Sequence, residues 1–310
     1  MAQLSDIEVK TTLFDLPLEE RALPGNRACS GCGLTLAYRH ALKALGADTV
    51  VAVPASCLTV LHGMYPIASV AVNCVNTPFA ATAAFASGLV AGLKATGREE
   101  ITVVGFAGDG GTNDIGIQAL SGAAERNTNF IYVCYDNEAY MNTGGQRSSA
   151  TPLGATTATT PILNKRQHPK DMPRIMAAHD IPYVATAASS YPLDLYDKFI
   201  KAKKKQGTRY IHISIPCPPG WLYPTKDTVK MGKLSVETGL IVLYEIEDGA
   251  FKLTARSRAL ADKGKLKPVG DYLKVQGRFA HITEEQLEEL QEWVRRRWEG
   301  YVRMASQRTG

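Results

Sequence analysis

Charged residues are absent from Thr49 to Leu93, although 21% of the whole chain is charged. A helix that crosses a membrane needs about 20 consecutive apolar residues. This segment does not supply them, because Pro54, Pro66 and Pro78 interrupt it and small residues outnumber leucine and isoleucine. We therefore interpret the segment as buried structure of a globular domain and expect no membrane span. It is also a candidate for a buried contact with another subunit.

Cysteine is scarce as well, with six residues in a chain of 310. Such a low and unevenly spaced content excludes a secreted scaffold held by disulfides. The first residues lack the charged and apolar pattern of a secretory signal, so we expect a cytoplasmic protein. The 35 Lys and Arg exceed the 30 Asp and Glu by only five, spread along the chain, which does not indicate a nucleic-acid partner.

Apolar runs of strand length alternate with helical patterns, which is typical of an α/β fold with a parallel sheet and helices on both faces. The predicted strands are Val50–Val53, Val70–Val75, Ile101–Ala107, Phe130–Tyr135, Tyr183–Ala187 and Tyr210–Ile215. The predicted helices are Pro78–Lys94, Ile115–Arg126, Met172–His179 and Pro192–Lys205.

The character of the chain changes near residue 220, so we divide it into a domain of residues 1–220 and a C-terminal extension of residues 221–310. The extension is charged and weakly periodic up to Gly277. It ends in a predicted helix, since a capping box at Thr283–Gln286 precedes apolar residues at helical spacing. We expect this extension to dock on its own core or on a partner subunit.

The strongest chemical signal is the turn Gly108-Asp109-Gly110-Gly111, which follows one predicted strand, with Asn137 after the next. The carboxyl ends of neighbouring parallel strands meet at one edge of a sheet, so Asp109 and Asn137 are expected to converge. Carboxylate, amide and carbonyl oxygens suit Mg²⁺, and glycines let backbone N–H groups approach a diphosphate. An ordinary glycine-rich turn is the alternative. The uncharged segment Ser148–Asn164 is predicted to be an ordered loop over the site or a flexible lid.

Four cysteines form a second candidate site. Cys29 and Cys32 form a CxxC pair, and Cys57 and Cys217 lie in other glycine- or proline-rich turns. Four thiolates from separate loops suit a [4Fe–4S] cluster and suit structural zinc equally well. Cys74 and Cys134 lie inside apolar runs and are interpreted as core residues.

Three separated motifs together resemble the β subunit of 2-oxoacid:ferredoxin oxidoreductases, most closely the pyruvate-type branch. They are Arg27–Gly33, Gly108–Gly116 and Tyr135–Gln146, and the similarity extends to Gln276–Phe279. The resemblance implies a thiamine diphosphate-binding fold. It assigns [4Fe–4S] ligation to Cys29, Cys32, Cys57 and Cys217, Mg²⁺ binding to Asp109, Asn137 and the Ala139 carbonyl, and cofactor contacts to Gly108, Gly110, Gly111, Asn142 and Thr143. It also implies that Asn142 faces the reactive carbon and the substrate.

The same resemblance implies oxidative decarboxylation of a small 2-oxoacid, pyruvate-like and with coenzyme A, and electron transfer through the cluster to ferredoxin. It implies partner subunits of α, γ and δ type, one of which supplies the carboxylate that activates the cofactor's pyrimidine ring. The loop Leu58–Pro66 departs from the pyruvate pattern, so an oxalate-oxidising subunit without coenzyme A is the alternative, with Val60 a candidate for substrate selection. A non-redox thiamine enzyme and a zinc-stapled scaffold subunit are alternatives of other classes.

Overall fold

A computed structural model describes residues 11–307, so part of the N-terminus on which the expectation of no secretory signal depends lies outside the described residues. Eight strands form one sheet in the order β2-β1-β3-β4-β6-β5-β7-β8. The strands are β1 (Thr49–Pro54), β2 (Asn73–Thr77), β3 (Thr102–Gly108), β4 (Phe130–Asp136), β5 (Tyr183–Ala188), β6 (Thr208–Ser214), β7 (Tyr244–Glu247) and β8 (Ala250–Leu253). The first six strands are parallel, and the last two add antiparallel pairs at one edge.

Eleven α-helices accompany the sheet in the described residues 11–307. They are α1 (Gly33–Leu45), α2 (Cys57–His62), α3 (Thr82–Ala95), α4 (Ile117–Glu125), α5 (Met172–Ala177), α6 (Pro192–Lys204), α7 (Pro218–Trp221), α8 (Thr228–Glu237), α9 (Ala255–Lys263), α10 (Val269–Leu273) and α11 (Glu284–Ser306). A π-helical segment, Gly110–Ile115, lies between β3 and α4.

Helices cover both faces of the parallel part of the sheet, as predicted. Successive residues of a strand point to opposite faces. In β3, Val104 and Phe106 pack with residues of α1 and α6, whereas Val103 and Ala107 pack with residues of α3, α4 and α5. This double burial explains why the central strands are nearly continuous apolar runs.

All six predicted strands and four predicted helices are present, with shifted ends. Both ends move for the strand expected at Val70–Val75, which is observed at Asn73–Thr77. The helix expected from Pro78 begins at Thr82. The helix expected from Ile115 begins at Ile117, because the preceding turn is π-helical.

The prediction that Thr49–Leu93 is buried is wrong for part of that segment within this chain. Strand β1 is buried, but Tyr65 is 94% exposed and Phe85 is 37% exposed. The loop after α2 and one side of α3 lie at the surface, so their lack of charge is not explained by the core of this chain. None of the helices between residues 11 and 307 is long and apolar enough to span a membrane.

The residues after 220 pack on the chain's own core. Strand β7 pairs with β5, so these residues extend the main sheet. The predicted capping box of α11 is present, with Gln286 N–H donating to Thr283 Oγ1 at 3.1 Å. Leu290 and Val294 of that helix join a cluster with Trp221. The division of the chain at residue 220 stays a prediction.

Candidate active site at the carboxyl edge of the sheet

Four of the predicted site residues follow four adjacent strands. Strands β1, β3, β4 and β6 are neighbours in the sheet and run parallel. Cys57, Asp109, Asn137 and Cys217 follow their carboxyl ends in the same order. The connections of a parallel sheet place ligands at this edge. The fold therefore brings the candidate oxygen site and two of the cysteines to a common edge.

Three oxygen-bearing groups converge at the ends of β3 and β4. One atom of the Asn137 amide lies 3.1 Å from Asp109 Oδ1 and 2.9 Å from the Ala139 carbonyl oxygen. As Nδ2 this atom donates hydrogen bonds to both, and as Oδ1 it completes a set of three oxygens. Octahedral Mg²⁺ binds oxygens at about 2.1 Å, which puts neighbouring ligands about 3 Å apart. Both distances from the Asn137 amide atom therefore fit the spacing of neighbouring Mg²⁺ ligands.

Asp109 is buried, with 1% of its surface exposed. Burial raises the pKa of its carboxyl, and the nearby charge of Asp136 raises it further. Ser148 Oγ donates a hydrogen bond to Asp109 Oδ2 at 2.5 Å, so the predicted loop Ser148–Asn164 begins against the site. The backbone N–H of Asn137 also donates to Asp109 Oδ1, at 3.4 Å. A fully buried carboxylate remains costly unless a cation accompanies it.

The backbone around the three groups is shaped by two special positions. Glu138, between Asn137 and Ala139, has a φ of 65°. Its N–H donates to Asp136 Oδ1 at 2.8 Å, and its carbonyl accepts from Thr151 Oγ1. Gly110 has no room for a side chain, since a Cβ would lie 2.6 Å from the ring of Tyr140.

The π-helical segment Gly110–Ile115 begins directly after Asp109. Gly110 and Gly111 are buried in it, and Gly108 is the last residue of β3. Such segments occur often at functional sites. Backbone N–H groups at the start of a helical segment provide a place for an anionic diphosphate.

Sequence reasoning missed a polar pair behind the oxygen site. His212 Nε2 lies 2.8 Å from Asp136 Oδ2, and His212 Nδ1 lies 2.8 Å from the Tyr210 hydroxyl. Burial alone would lower the pKa of His212, but Cys134 and Asp136 raise it well above its ordinary value. Alternating polar residues in the predicted strand Tyr210–Ile215 were the available signal. The pair anchors the residue that precedes Asn137.

The CxxC turn lies beside Cys217. Within the turn, Cys32 N–H donates to the Cys29 carbonyl at 3.1 Å. The next residue, Gly33, donates its N–H to the Pro216 carbonyl at 3.3 Å, which joins the turn to the loop of Cys217. Gly31 has a φ of +72°, and a Cβ there would lie 2.4 Å from the carbonyl oxygen of Thr225.

The four predicted cluster cysteines are free thiols. They lie close enough for the other cysteines to affect the pKa of Cys57 and of Cys217. Burial and, to a smaller extent, the neighbouring cysteines raise the pKa of Cys57 and of Cys217 to about 12. Among residues 11–307, no group of three or more His, Cys, Asp or Glu side chains stands ready to hold a metal ion. Of the two cysteines interpreted as core residues, Cys134 is buried and Cys74 is half-buried.

Asn142 and Thr143 are exposed and lie in the turn between Tyr140 and Gln146. Thr143 Oγ1 donates to Gln146 Oε1 at 2.5 Å, within the turn. The neighbouring Met141 reaches Gly220, where a Cβ would lie 2.2 Å from its sulfur. A cavity of about 320 Å³ lies between this turn and the loop of Trp221.

The chain matches known thiamine-dependent proteins. Residues 55–213 match the family model described as "Thiamine pyrophosphate enzyme, C-terminal TPP binding domain". The pyruvate synthase subunit PorB of Methanothermobacter thermautotrophicus is 50% identical over 90% of this chain and 96% of its own length. The ketoisovalerate oxidoreductase subunit VorB of Pyrococcus horikoshii is 46% identical over 96% of this chain and 97% of its own length.

Among solved structures, a 2-oxoglutarate:ferredoxin oxidoreductase from Magnetococcus marinus superposes with a TM-score of 0.55. The two chains are 25% identical, over 64% of this chain and 67% of that one. The matched range, residues 55–213, begins just after β1, includes β2 to β5 and nearly all of β6, and contains both halves of the oxygen site. The chain therefore belongs to the β subunits of thiamine diphosphate-dependent 2-oxoacid:ferredoxin oxidoreductases.

Proposed function

We propose that this chain holds Mg²⁺-thiamine diphosphate and a [4Fe–4S] cluster, and that its complex oxidatively decarboxylates a small, pyruvate-like 2-oxoacid. The observation that carries the proposal is the arrangement of cysteines and oxygen ligands behind four adjacent strands, β1, β3, β4 and β6. A redox enzyme of this kind needs the group that releases electrons close to the group that accepts them. A non-redox thiamine enzyme would need only the oxygen site.

In this proposal Asp109, Asn137 and the Ala139 carbonyl bind Mg²⁺, and the N–H groups of Gly110 and Gly111 face the diphosphate. Bound thiamine diphosphate supplies a nucleophilic carbon and an electron sink, which decarboxylation of a 2-oxoacid requires. Within the chain, the hydrogen bond from the Ser148 hydroxyl orients the Asp109 carboxylate as a ligand. Gly108, at the end of β3, brings the backbone close to the cofactor.

Cys29, Cys32, Cys57 and Cys217 bind the cluster in this proposal. A structural zinc ion would need its four sulfurs about 4 Å apart, because zinc–sulfur bonds are about 2.3 Å long. A [4Fe–4S] cluster uses the same four thiolates, so metal analysis of the purified complex separates the two occupants. The raised pKa of Cys57 and Cys217 indicates that these thiols stay protonated until a metal binds.

Two relatives support a pyruvate-type substrate, because their names specify pyruvate synthase and ketoisovalerate oxidoreductase. The solved 2-oxoglutarate:ferredoxin oxidoreductase, which is described with coenzyme A bound, supports the proposal of coenzyme A as the acyl acceptor and ferredoxin as the electron acceptor. We propose that Asn142 and Thr143 face the cofactor, with Asn142 and Val60 facing the substrate, since all three are exposed in the single chain. The exposed apolar loop that contains Tyr65 is proposed to contact other subunits of a cytoplasmic complex, of α, γ and δ type.

The experiment is an anaerobic assay of the assembled complex that follows ferredoxin or dye reduction. Pyruvate and a branched 2-oxoacid are supplied with and without coenzyme A, and oxalate is supplied without it. We expect reduction with pyruvate that depends on coenzyme A. Faster reduction with the branched acid would move the substrate to the ketoisovalerate type, and reduction with oxalate alone would overturn the acyl-forming proposal. Decarboxylation without any dye reduction would favour a non-redox thiamine enzyme.

A further inference from the structure

A segment of the C-terminal extension reaches the oxygen site. The side chain of Arg278 is 4% exposed and forms an ion pair with Glu138, with 2.5 Å between Nη2 and Oε2. Its guanidinium carbon lies 4.1 Å from the centre of the Trp221 ring. Arg278 is therefore buried between a carboxylate and an indole, at a position more than a hundred residues away in sequence from Glu138.

Both partners of Arg278 contact the groups of the oxygen site. Glu138 stands between Asn137 and Ala139 in the chain, in the left-handed backbone conformation. Trp221 Nε1 donates a hydrogen bond to the Asn137 carbonyl at 2.9 Å. Arg278 thus contacts Glu138, which lies inside the turn, and Trp221, which donates a hydrogen bond to the turn.

Arg278 is itself fixed in place by its own segment. Its Nε donates to Gln276 Oε1 at 2.9 Å, and its carbonyl accepts from Thr156 N–H at 2.8 Å. The backbone of Trp221 also reaches the cysteine loop, since its backbone N–H donates to the Cys217 carbonyl at 2.8 Å. Trp221 therefore contacts one backbone group from each of the two candidate sites, through its indole at Asn137 and through its own backbone at Cys217.

We propose that Arg278 is a positioning residue that holds the turn Asn137–Ala139 in the conformation that binds a divalent cation. A planar guanidinium can stack on an indole and pair with a carboxylate at the same time, which the Lys ammonium does less well. Without Arg278 the buried carboxylate of Glu138 loses its ion pair. The ion pair then no longer stabilises the left-handed backbone conformation of Glu138 in the turn. This inference rests on the proposed Mg²⁺ site.

The test measures the dissociation constant of Mn²⁺, a paramagnetic substitute for Mg²⁺, by electron paramagnetic resonance on the assembled complex with thiamine diphosphate. Replacement of a residue that orients metal ligands typically weakens metal binding roughly 10–100-fold. We expect a rise in that range for Arg278→Met and a smaller rise for Arg278→Lys. If Arg278→Met does not assemble, Arg278→Lys alone decides, with a rise of at least about threefold expected.

A matched control is available at Arg297, which lies 4.3 Å from the centre of the Trp293 ring and pairs with Asp171 at 3.0 Å. Arg297→Met removes the same kind of stack and ion pair, and we expect it to leave the Mn²⁺ constant unchanged. Equal Mn²⁺ constants in wild type and both Arg278 variants would overturn the inference. Failure of the wild-type complex to bind Mn²⁺ would instead overturn the proposed metal site itself.

Discussion

Replacing Asp109 with Asn is the sharpest perturbation of the oxygen site. The substitution keeps the size of the side chain and an oxygen, but it removes the full negative charge among the three proposed ligand groups. The fold should tolerate the change, because the Ser148 hydroxyl that donates to Asp109 Oδ2 can also accept a hydrogen bond. Any loss of cation binding therefore reports on charge and not on misfolding.

The size of the effect follows from the charge. A hydrogen bond to a charged group contributes about 1.5–3 kcal/mol of net free energy, whereas a hydrogen bond between neutral groups contributes about 1 kcal/mol. With a divalent partner we expect a loss of about 3 kcal/mol, which is about 100-fold in the dissociation constant. At a Mg²⁺ concentration about 100 times the wild-type constant, occupancy falls from about 99% to about 50%.

The assay is a Mg²⁺ titration of the assembled complex at fixed thiamine diphosphate. Asp114→Asn serves as the control, because Asp114 lies in the same π-helical segment but accepts hydrogen bonds from the Tyr140 hydroxyl and Ser149 N–H. We expect Asp114→Asn to shift the constant less than threefold. A change below threefold in Asp109→Asn would refute the assignment of Asp109 as a Mg²⁺ ligand.

Three further predictions concern separate parts of the chain. Burial lowers the pKa of His62 to about 4, so the unfolded chain binds a proton first as the pH falls below about 6.5. Between pH 6.5 and pH 5 this costs about 2 kcal/mol of stability, and His62→Leu should remove that part of the pH dependence in urea denaturation. Gly31→Ala should lower iron content, because its Cβ would meet the Thr225 carbonyl at 2.4 Å. Asn142→Ala should lower turnover with pyruvate while iron and Mg²⁺ contents stay at the wild-type level.

Each of these has an outcome that contradicts it. An unchanged pH dependence in His62→Leu would show that this imidazole is not the group that titrates. Gly25→Ala is the control for the glycine variant, since Gly25 has a φ of +79° with no heavy atom within 4 Å of the added Cβ. Equal iron in the Gly31 and Gly25 variants and in wild type would remove the steric argument. Wild-type turnover in Asn142→Ala would exclude that residue from the substrate site.

The central α/β architecture could be predicted because its signals are local. Apolar runs such as Phe130–Tyr135 are buried on both faces, and the turn after β3 carries its own glycines. The rule that carboxyl ends of parallel strands meet then places Asp109 beside Asn137 without further information. The same rule would have placed Cys57 and Cys217 at this edge, once the strand order was known.

Two features of the C-terminal extension were not predicted: the hairpin of β7 and β8, which has a local signal in the sequence, and the ion pair of Arg278, which has none. The hairpin of β7 and β8 turns at Asp248 and Gly249, which have φ values of 48° and 81°. Asp-Gly between alternating apolar residues is a strong hairpin signal, and it lay within the segment interpreted as weakly periodic. The ion pair of Arg278 with Glu138 could not be predicted, because it depends on how the extension folds back over the sheet.

The most direct test of the account is the iron content of the assembled complex with Cys57→Ser, compared with Cys74→Ser. Cys74 is a matched control, a half-buried thiol whose sulfur lies 3.4 Å from His62 Nδ1 and which is not a proposed ligand. The account predicts that Cys57→Ser loses the iron and sulfide of one [4Fe–4S] cluster per β chain and stops reducing ferredoxin, while Cys74→Ser retains both. Wild-type iron in the Cys57 variant, or zinc in place of iron in the wild-type chain, would contradict the claim that this subunit carries the cluster.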